Sequence, residues 1–130
     1  MTTVKVDKLR VAQDARGYVF EPLAADGLDG RYRNVHVVYT APGVVRGNHR
    51  HVVGTEISSV AGPALVRYRV AGVMHDTQVP AGEVWRFEFP PGVAHAFRND
   101  GSEPMLLAAF NTEEHDPNKP DAVRDVLIEQ

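Results

Sequence analysis

Three histidines and one glutamate occur at a spacing that suits metal coordination. His49 and His51 are two residues apart, so in a β-strand both imidazoles project from one face. Glu56 follows after an odd interval, so a turn or bulge around Gly54 has to re-aim it to reach that face. His95 comes just after a Pro-Pro-Gly turn, where a neighbouring strand would return. Three neutral imidazoles and one carboxylate suit a divalent ion such as zinc, iron, manganese, nickel or cobalt.

Short β-strands are the elements that would position these residues. Eleven glycines and nine prolines divide the chain into short apolar runs, a spacing typical of strands and turns. We predict strands at 34–39, 64–70, 84–89 and 104–110, the last one central and covered on both faces, and edge strands at 4–11 and 17–20. Residues 112–120 are predicted to form a polar loop, and 122–128 either one or two helical turns or a last strand. The sequence therefore predicts an all-β jelly-roll barrel, a single domain over residues 1–130.

Composition excludes several classes of function. Lys and Arg total 14 against 17 Asp and Glu, for a formal charge of −3, so we expect neither a nucleic-acid partner nor a membrane partner. The absence of cysteine excludes disulfides, thiolate zinc sites and a cysteine nucleophile. No stretch has the length and hydropathy of a membrane span or a signal segment, and we expect a cytoplasmic protein that acts on a small molecule.

Two motifs of the cupin superfamily are present in this sequence. Residues 43–56 fit GX5HXHX4E, and residues 90–99 fit PXGX2HX3N. Two flanking glycine positions depart from the pattern, because the chain is one residue short before Gly62 and has Val84 where a glycine is usual. The resemblance implies a cupin jelly-roll β-barrel with His49, His51, Glu56 and His95 as metal ligands in its mouth.

A narrower resemblance concerns residues 42–51, 89–95, 99–101 and 110–121. These segments are similar to the C-terminal zinc-binding cupin domain of bifunctional capsular-polysaccharide enzymes, in which a nucleotide-sugar reductase is joined to an epimerising cupin. The phrase Arg46-Gly-Asn-His49 also resembles the RGxH signature of dTDP-4-keto-6-deoxysugar epimerases and ketoisomerases. In those relatives the arginine contacts the diphosphate and the histidine is the proton-abstracting base.

The two resemblances imply incompatible roles for His49, since a metal-bound nitrogen cannot also accept a proton. Glu56 and His95 are not needed by the metal-free enzymes, so we favour a metal, with zinc first and iron, manganese or nickel as alternatives. A metal would stabilise the enolate oxygen formed by proton abstraction beside a ketone. The base is then another residue, and Tyr39, Tyr68 and His36 are candidates by residue type.

Substrate contacts are predicted for one arginine and one aromatic residue. Arg46 is singled out by the RGxH resemblance, although Arg50, Arg67 and Arg69 are also candidates for a cationic rim that binds a diphosphate. Phe97 is two residues from His95 and is the aromatic expected nearest the metal. Asn99 is interpreted as a structural residue of the turn.

The sequence favours a metal-binding nucleotide-sugar epimerase or isomerase of polysaccharide or deoxysugar biosynthesis. Two alternatives stay open: another metal-dependent cupin enzyme, such as an iron dioxygenase or a polyketide cyclase, and a non-catalytic cupin that binds a small molecule. Since fold alone does not separate these classes, they are distinguished by chemistry. Single-domain cupins commonly dimerise, and we expect a homodimer in which the edge segment 4–11 pairs.

Overall fold

The part of the chain described by the computed structural model, residues 2–23 and 27–130, folds into twelve β-strands. The strands are β1 Lys5–Lys8, β2 Val11–Asp14, β3 Gly17–Phe20, β4 Asn34–Thr40, β5 Val45–His51, β6 Glu56–Ala61, β7 Ala64–Val70, β8 Val73–Val79, β9 Val84–Phe89, β10 Ala94–Asn99, β11 Met105–Asn111 and β12 Ala122–Arg124. The predicted strands are confirmed within a residue or two at 17–20, 34–39, 64–70, 84–89 and 104–110, and 4–11 divides into β1 and the start of β2.

Ten of these strands form two five-stranded antiparallel sheets. The first sheet has the order β1-β9-β6-β11-β4, and the second has the order β12-β5-β10-β7-β8. The strands β2 and β3 form a separate hairpin. Consecutive strands such as β5 and β6 lie in different sheets, so the chain alternates between the layers, as in a jelly roll.

The inner faces of the two sheets share one hydrophobic core. Phe87 and Phe89 come from the first sheet, Val66 and Phe97 come from the second, and all four are at most 3% exposed. Residues from both sheets form one packed cluster, which is the face-to-face arrangement of a β-sandwich. The fold is therefore the expected cupin jelly roll. It consists of two packed sheets, and no ladder joins them within the described residues.

Two details differ from the sequence-based expectation. The run at 104–110 was expected to be covered on both faces, but Leu106 is 39% exposed on the outer face of β11. That expectation was wrong because an apolar run does not show whether another part of the same chain covers its second face. The open question at 122–128 is resolved by a strand, β12, which is followed by a segment that packs Leu127 and Ile128 against Leu65 and Ala96.

Within the described residues, no helix has the length and hydropathy that crossing a membrane requires.

Candidate metal centre

The four predicted ligands come together from both sheets. β5 carries His49 and His51, and its neighbour β10 places His95 directly opposite His49. Glu56 is the first residue of β6, which belongs to the facing sheet. Residues 52–55 thus cross between the layers, and Glu56 meets the imidazoles from across the core. The expectation that a turn returns Glu56 to the histidine face was wrong in this respect.

A β-bulge in β5 sets the direction of the histidine strand. His95 pairs with His49 and Ala96 pairs with Gly47, so Asn48 is an extra residue in the ladder. Both bulge residues are left-handed, with φ of 84° at Gly47 and 56° at Asn48. A Cβ on Gly47 would lie 2.8 Å from the carbonyl oxygen of His95, so glycine is required here for close approach as well as for conformation.

The Nε2 atoms of all three histidines converge on the carboxylate of Glu56. They lie 2.9 Å (His51) and 3.7 Å (His49) from Oε1, and 3.2 Å (His95) from Oε2. The four ligand atoms are all within 4.8 Å of one another. Ser58 donates a hydrogen bond of 2.6 Å to Oε2 of Glu56 and fixes that carboxylate. One small cation placed among these atoms would have four ligands.

Two of the three imidazoles, those of His49 and His95, have an Nε2 atom that is free to bind a metal. Nδ1 of His95 donates to the carbonyl oxygen of Val93 at 2.9 Å, so in the neutral ring Nε2 carries the lone pair and faces the cluster. Nε2 of His49 and Nε2 of His95 are buried and have no hydrogen-bond partner within the described residues. Buried polar atoms are almost always paired, and a bound cation would satisfy both of these.

Electrostatics in the cluster favour an ionised Glu56 carboxylate beside His95. Burial alone raises the pKa of Glu56, but the charge of His95 and the close approach of the other two imidazoles outweigh it, and the pKa lies well below its ordinary value. Burial lowers the pKa of His95, yet the adjacent Glu56 carboxylate raises it more, and the net pKa lies above the ordinary value. A metal ion would compete with protons for these nitrogens.

An aromatic wall encloses one side of the cluster. Phe89 stacks on the His95 ring with centroids 4.2 Å apart and planes at 6°. The expectation that Phe97 is the aromatic nearest the cluster was wrong, because its ring centroid lies 5.8 Å from that of His95 and the Phe89 ring is closer. The Phe97 side chain is only 3% exposed and belongs to the core. The wall excludes water and strengthens the electrostatic interactions beside it. Contact between Phe97 and a substrate stays a prediction.

The three candidate bases are placed differently. His36 pairs with the core residue Ala109 on the inner face of β4 and shares a cleft of about 90 Å³ with His51. Tyr68 pairs with His95 on the inner face of the second sheet. Tyr39 is 65% exposed on the outer face of β4, so the structure does not bring it to the cluster. Strand alternation explains this difference, because Tyr39 and His36 are an odd number of residues apart.

Of the arginines considered for a cationic rim, only Arg46 lies on the histidine face. The bulge pairs Arg46 with inward-facing Phe97, and Arg46 is exposed and forms no ion pair within the described residues. The other three lie on the outer face of the second sheet: Arg67 pairs with Asp76, and Arg50 and Arg69 pair with Asp125.

Sequence reasoning missed two residues at this site. Arg124 in β12 pairs with His49 and therefore shares the inner face. The carboxylate of Asp121 lies 3.8 Å from Nδ1 of His51. No sequence pattern indicated a role for Arg124. For Asp121 the one indication was its place in the segment 110–121, which resembles the capsular-polysaccharide enzymes.

Asn99 is confirmed as a structural residue. Its amide nitrogen donates to the carbonyl oxygens of Thr40 and Glu103, and its side-chain oxygen accepts from the backbone of Gly101. These bonds close the turn that follows β10.

The fold and the His3Glu cluster define a jelly-roll cupin with a group of side chains that could hold a metal ion. Residues 12–123 match the family described as the polysaccharide biosynthesis C-terminal domain, and the chain belongs to that family. No curated protein sequence matches the chain.

Solved structures support the same fold. The capsular polysaccharide assembling protein CapF from Staphylococcus aureus is 26% identical, with a TM-score of 0.67 over 92% of this chain. The present chain spans only 34% of CapF. The sugar 3,4-ketoisomerase QdtA from Thermoanaerobacterium thermosaccharolyticum, solved with TDP, is 15% identical with a TM-score of 0.70, and 94% of this chain and 88% of that one are covered. A dTDP sugar isomerase from Desulfovibrio desulfuricans is 18% identical with a TM-score of 0.75, over 93% and 82% of the two chains. At these lower identities the likeness concerns the fold.

Proposed function

We propose that this protein is a metal-dependent cupin that epimerises or isomerises a nucleotide-linked keto sugar in polysaccharide or deoxysugar biosynthesis. The observation that carries the proposal is the convergence of three imidazole Nε2 atoms on the buried Glu56 carboxylate in a member of a polysaccharide biosynthesis family. Sugar isomerases with this fold support the same class of reaction.

His49, His51, Glu56 and His95 would hold the metal, and zinc suits three nitrogens and one oxygen at a small site. When bound, the ion supplies a Lewis acid that polarises the keto oxygen of the sugar. The Glu56 carboxylate, held by Ser58, offsets the charge of the ion within a buried site.

We infer that His36 takes the proton from the carbon beside the keto group, which its cleft beside His51 supports. Its Nδ1 lies 2.9 Å from Oδ1 of Asn34, and a carbonyl-type oxygen only accepts, so in the neutral ring Nδ1 donates and Nε2 carries the lone pair. Its cleft adjoins His51. Tyr68 lies on the other side of the cluster, beside His95, where it would serve as a proton donor to the opposite face of the sugar.

Arg46 and Arg124 would bind the diphosphate of the nucleotide. Both lie on the inner face of the second sheet and both are exposed. Arg124 is directly opposite His49 in the ladder, and Arg46 lies on the same strand as His49, opposite Phe97. A guanidinium pairs with phosphate oxygens in bidentate geometry. We expect Arg46→Ala to weaken TDP binding by about 10-fold or more, measured by calorimetry. Arg67→Ala removes an arginine that pairs with Asp76 on the outer face and should leave TDP binding unchanged.

Solvent deuterium incorporation tests the reaction. Purified protein is loaded with zinc and incubated with dTDP-4-keto-6-deoxyglucose in deuterated water, and the sugar is followed by proton NMR. Exchange beside the keto group is expected, and His36→Gln should slow it by at least about 100-fold, since general-base catalysis contributes about 10²–10⁴. His115→Gln is the matched control, because His115 is an exposed histidine of the same cleft.

The outcomes separate this function from the alternatives. Tight binding of the nucleotide sugar without exchange would indicate a non-catalytic binding protein. Purified protein that contains iron and consumes oxygen with another substrate would indicate a dioxygenase. Either result contradicts the proposal.

We also propose a homodimer. The expected edge strand, β1, carries Lys5, Asp7 and Lys8. The opposite edge, β4, contains no Lys, Arg, Asp or Glu, and it exposes Val37 and Tyr39. An uncharged, apolar edge favours pairing with a second copy more than a charged edge does, so β4 is the better candidate. Sedimentation should show a dimer that Val37→Lys converts to a monomer, and a monomeric wild type would contradict it.

A further inference from the structure

The carboxylate of Asp121 lies against the back of one proposed metal ligand. We propose that Asp121 is a positioning residue for the metal centre: it accepts a hydrogen bond from Nδ1 of His51 and so directs Nε2 of His51 at the metal. The inference rests on the proposed metal binding and adds a residue that is not itself a ligand.

The His51 ring has one nitrogen in the cluster and one on the opposite side. Nε2 is 2.9 Å from Oε1 of Glu56. Nδ1 is buried, with no hydrogen-bond partner within the described residues, and Oδ2 of Asp121 is 3.8 Å away. That distance has to shorten by roughly 1 Å to become a hydrogen bond. The side chains of His51 and Asp121 are 13% and 19% exposed, so little water is available to take the place of the carboxylate.

The backbone holds this carboxylate in place. Oδ1 of Asp121 accepts the N–H of Val53 at 2.9 Å, and Oδ2 accepts the N–H of Gly54 at 2.8 Å. The carbonyl oxygen of Asp121 accepts the N–H of Val52 at 3.1 Å. Each carboxylate oxygen has two lone pairs, so Oδ2 retains one for His51. Asp121 is thereby fixed to the link that connects His51 in β5 with Glu56 in β6.

Gly54 provides the room for this contact. A Cβ at position 54 would lie 3.0 Å from Oδ2 of Asp121 and 2.4 Å from Oδ1 of Asn111. The glycine is therefore needed for close approach of the carboxylate to the backbone.

The proposed arrangement matches a general rule for metal-bound imidazoles. The nitrogen that does not bind the metal donates to a carboxylate or a carbonyl, which fixes the ring and makes the ligand more basic. His95 follows this rule through the carbonyl oxygen of Val93. Asp121 would provide the equivalent acceptor for His51.

Cobalt titration tests the proposal, because bound Co²⁺ has a visible spectrum that reports its ligands. We expect Asp121→Asn to weaken Co²⁺ binding by about 10- to 100-fold and to change the spectrum of the loaded protein. Thr112→Val is the matched control: Oγ1 of Thr112 accepts the N–H of Thr55 in the same link at 3.0 Å but is not paired with His51. Its affinity and spectrum should stay within about twofold of wild type.

Equal loss of affinity in both variants would show that Asp121 acts only by holding the link, and unchanged affinity in Asp121→Asn would show that it has no role; both overturn the proposal. A wild type that does not bind Co²⁺ at all would instead overturn the proposed metal function together with this inference.

A second measurement does not depend on whether a variant folds. In the zinc-loaded wild type, long-range ¹H–¹⁵N spectra should show His51 bound through Nε2 and protonated at Nδ1, with the Nδ1 proton protected from exchange. A His51 ring bound to zinc through Nδ1 would overturn the proposal.

Discussion

Replacing Glu56 with glutamine tests the metal centre at the residue on which its ligands converge. Glutamine preserves the size of the side chain but removes the negative charge and one of the two carboxylate oxygens. These oxygens face the imidazoles at 2.9, 3.2 and 3.7 Å, and the side chain is 6% exposed. Substituting a residue that hydrogen-bonds a metal ligand costs about 10- to 100-fold in metal affinity. Loss of the anionic ligand itself should therefore cost at least about 100-fold.

The change in affinity converts to a change in thermal stability. At free zinc equal to about 100 times the wild-type Kd, binding stabilises the folded state by about 2.7 kcal/mol, and a 100-fold weaker site would gain only about 0.4 kcal/mol. For a chain of this length about 1 kcal/mol corresponds to roughly 4 °C. Zinc should therefore raise the Tm of wild type by about 11 °C and that of Glu56→Gln by about 2 °C.

The assay is differential scanning fluorimetry with and without buffered zinc, together with chelator competition for Kd. Glu21→Gln is the control, because Glu21 is an exposed glutamate outside the cluster, and its zinc-induced shift should equal that of wild type. A Glu56→Gln protein with the full wild-type shift and Kd would refute the assignment of Glu56 as a ligand.

Three further results are expected from the fold. Gly54→Ala should lower the free energy of unfolding by about 1–3 kcal/mol in urea titrations, since its Cβ would lie 2.4 Å from Oδ1 of Asn111; an unchanged midpoint would contradict the close approach. Phe87→Ala should cost about 3–5 kcal/mol by the same measurement, because Phe87 is 0% exposed in the core; a cost near that of a surface change would contradict this placement. The hydrogen bond from Arg69 is the main cause that lowers the pKa of Asp125 in the folded state. The ion pairs of Asp125 therefore stabilise the protein at pH values above the unfolded-state pKa of this carboxyl group, and this contribution is lost as the pH falls through its folded-state pKa. Asp125→Asn should therefore cost about 1 kcal/mol at pH 7 and less under acid, and an equal cost at both pH values would contradict the ionic contribution.

Local patterns were sufficient to predict most of the strands and the face that two of the clustered histidines share. The segment at 84–89 alternates apolar and charged residues, and β9 buries Phe87 and Phe89 on its inner face. The two-residue spacing of His49 and His51 likewise predicted that they share a face, since alternation is a property of any strand.

Contacts between distant residues could not be predicted from these patterns. The odd interval from His51 to Glu56 was interpreted within one face, whereas residues 52–55 cross to the other sheet. Alternation describes a single strand and contains no information on which sheet the next strand joins. The exposure of Leu106 on the outer face of β11 could not be predicted for the same reason.

The two residues that sequence reasoning missed, Asp121 and Arg124, lie at the two ends of β12. Asp121 precedes β12 and Arg124 ends it, and β12 pairs with β5 along the histidines, with Ala122 opposite His51 and Arg124 opposite His49. The segment was ambiguous in sequence because three strand residues are too few to show a period. Its pairing with β5 brings a carboxylate to the back of one proposed ligand and a guanidinium beside another. The segment from Asp121 to Arg124 would therefore supply both support for the proposed metal centre and charge for the proposed substrate, from a part of the chain about seventy residues away from the 52–55 link.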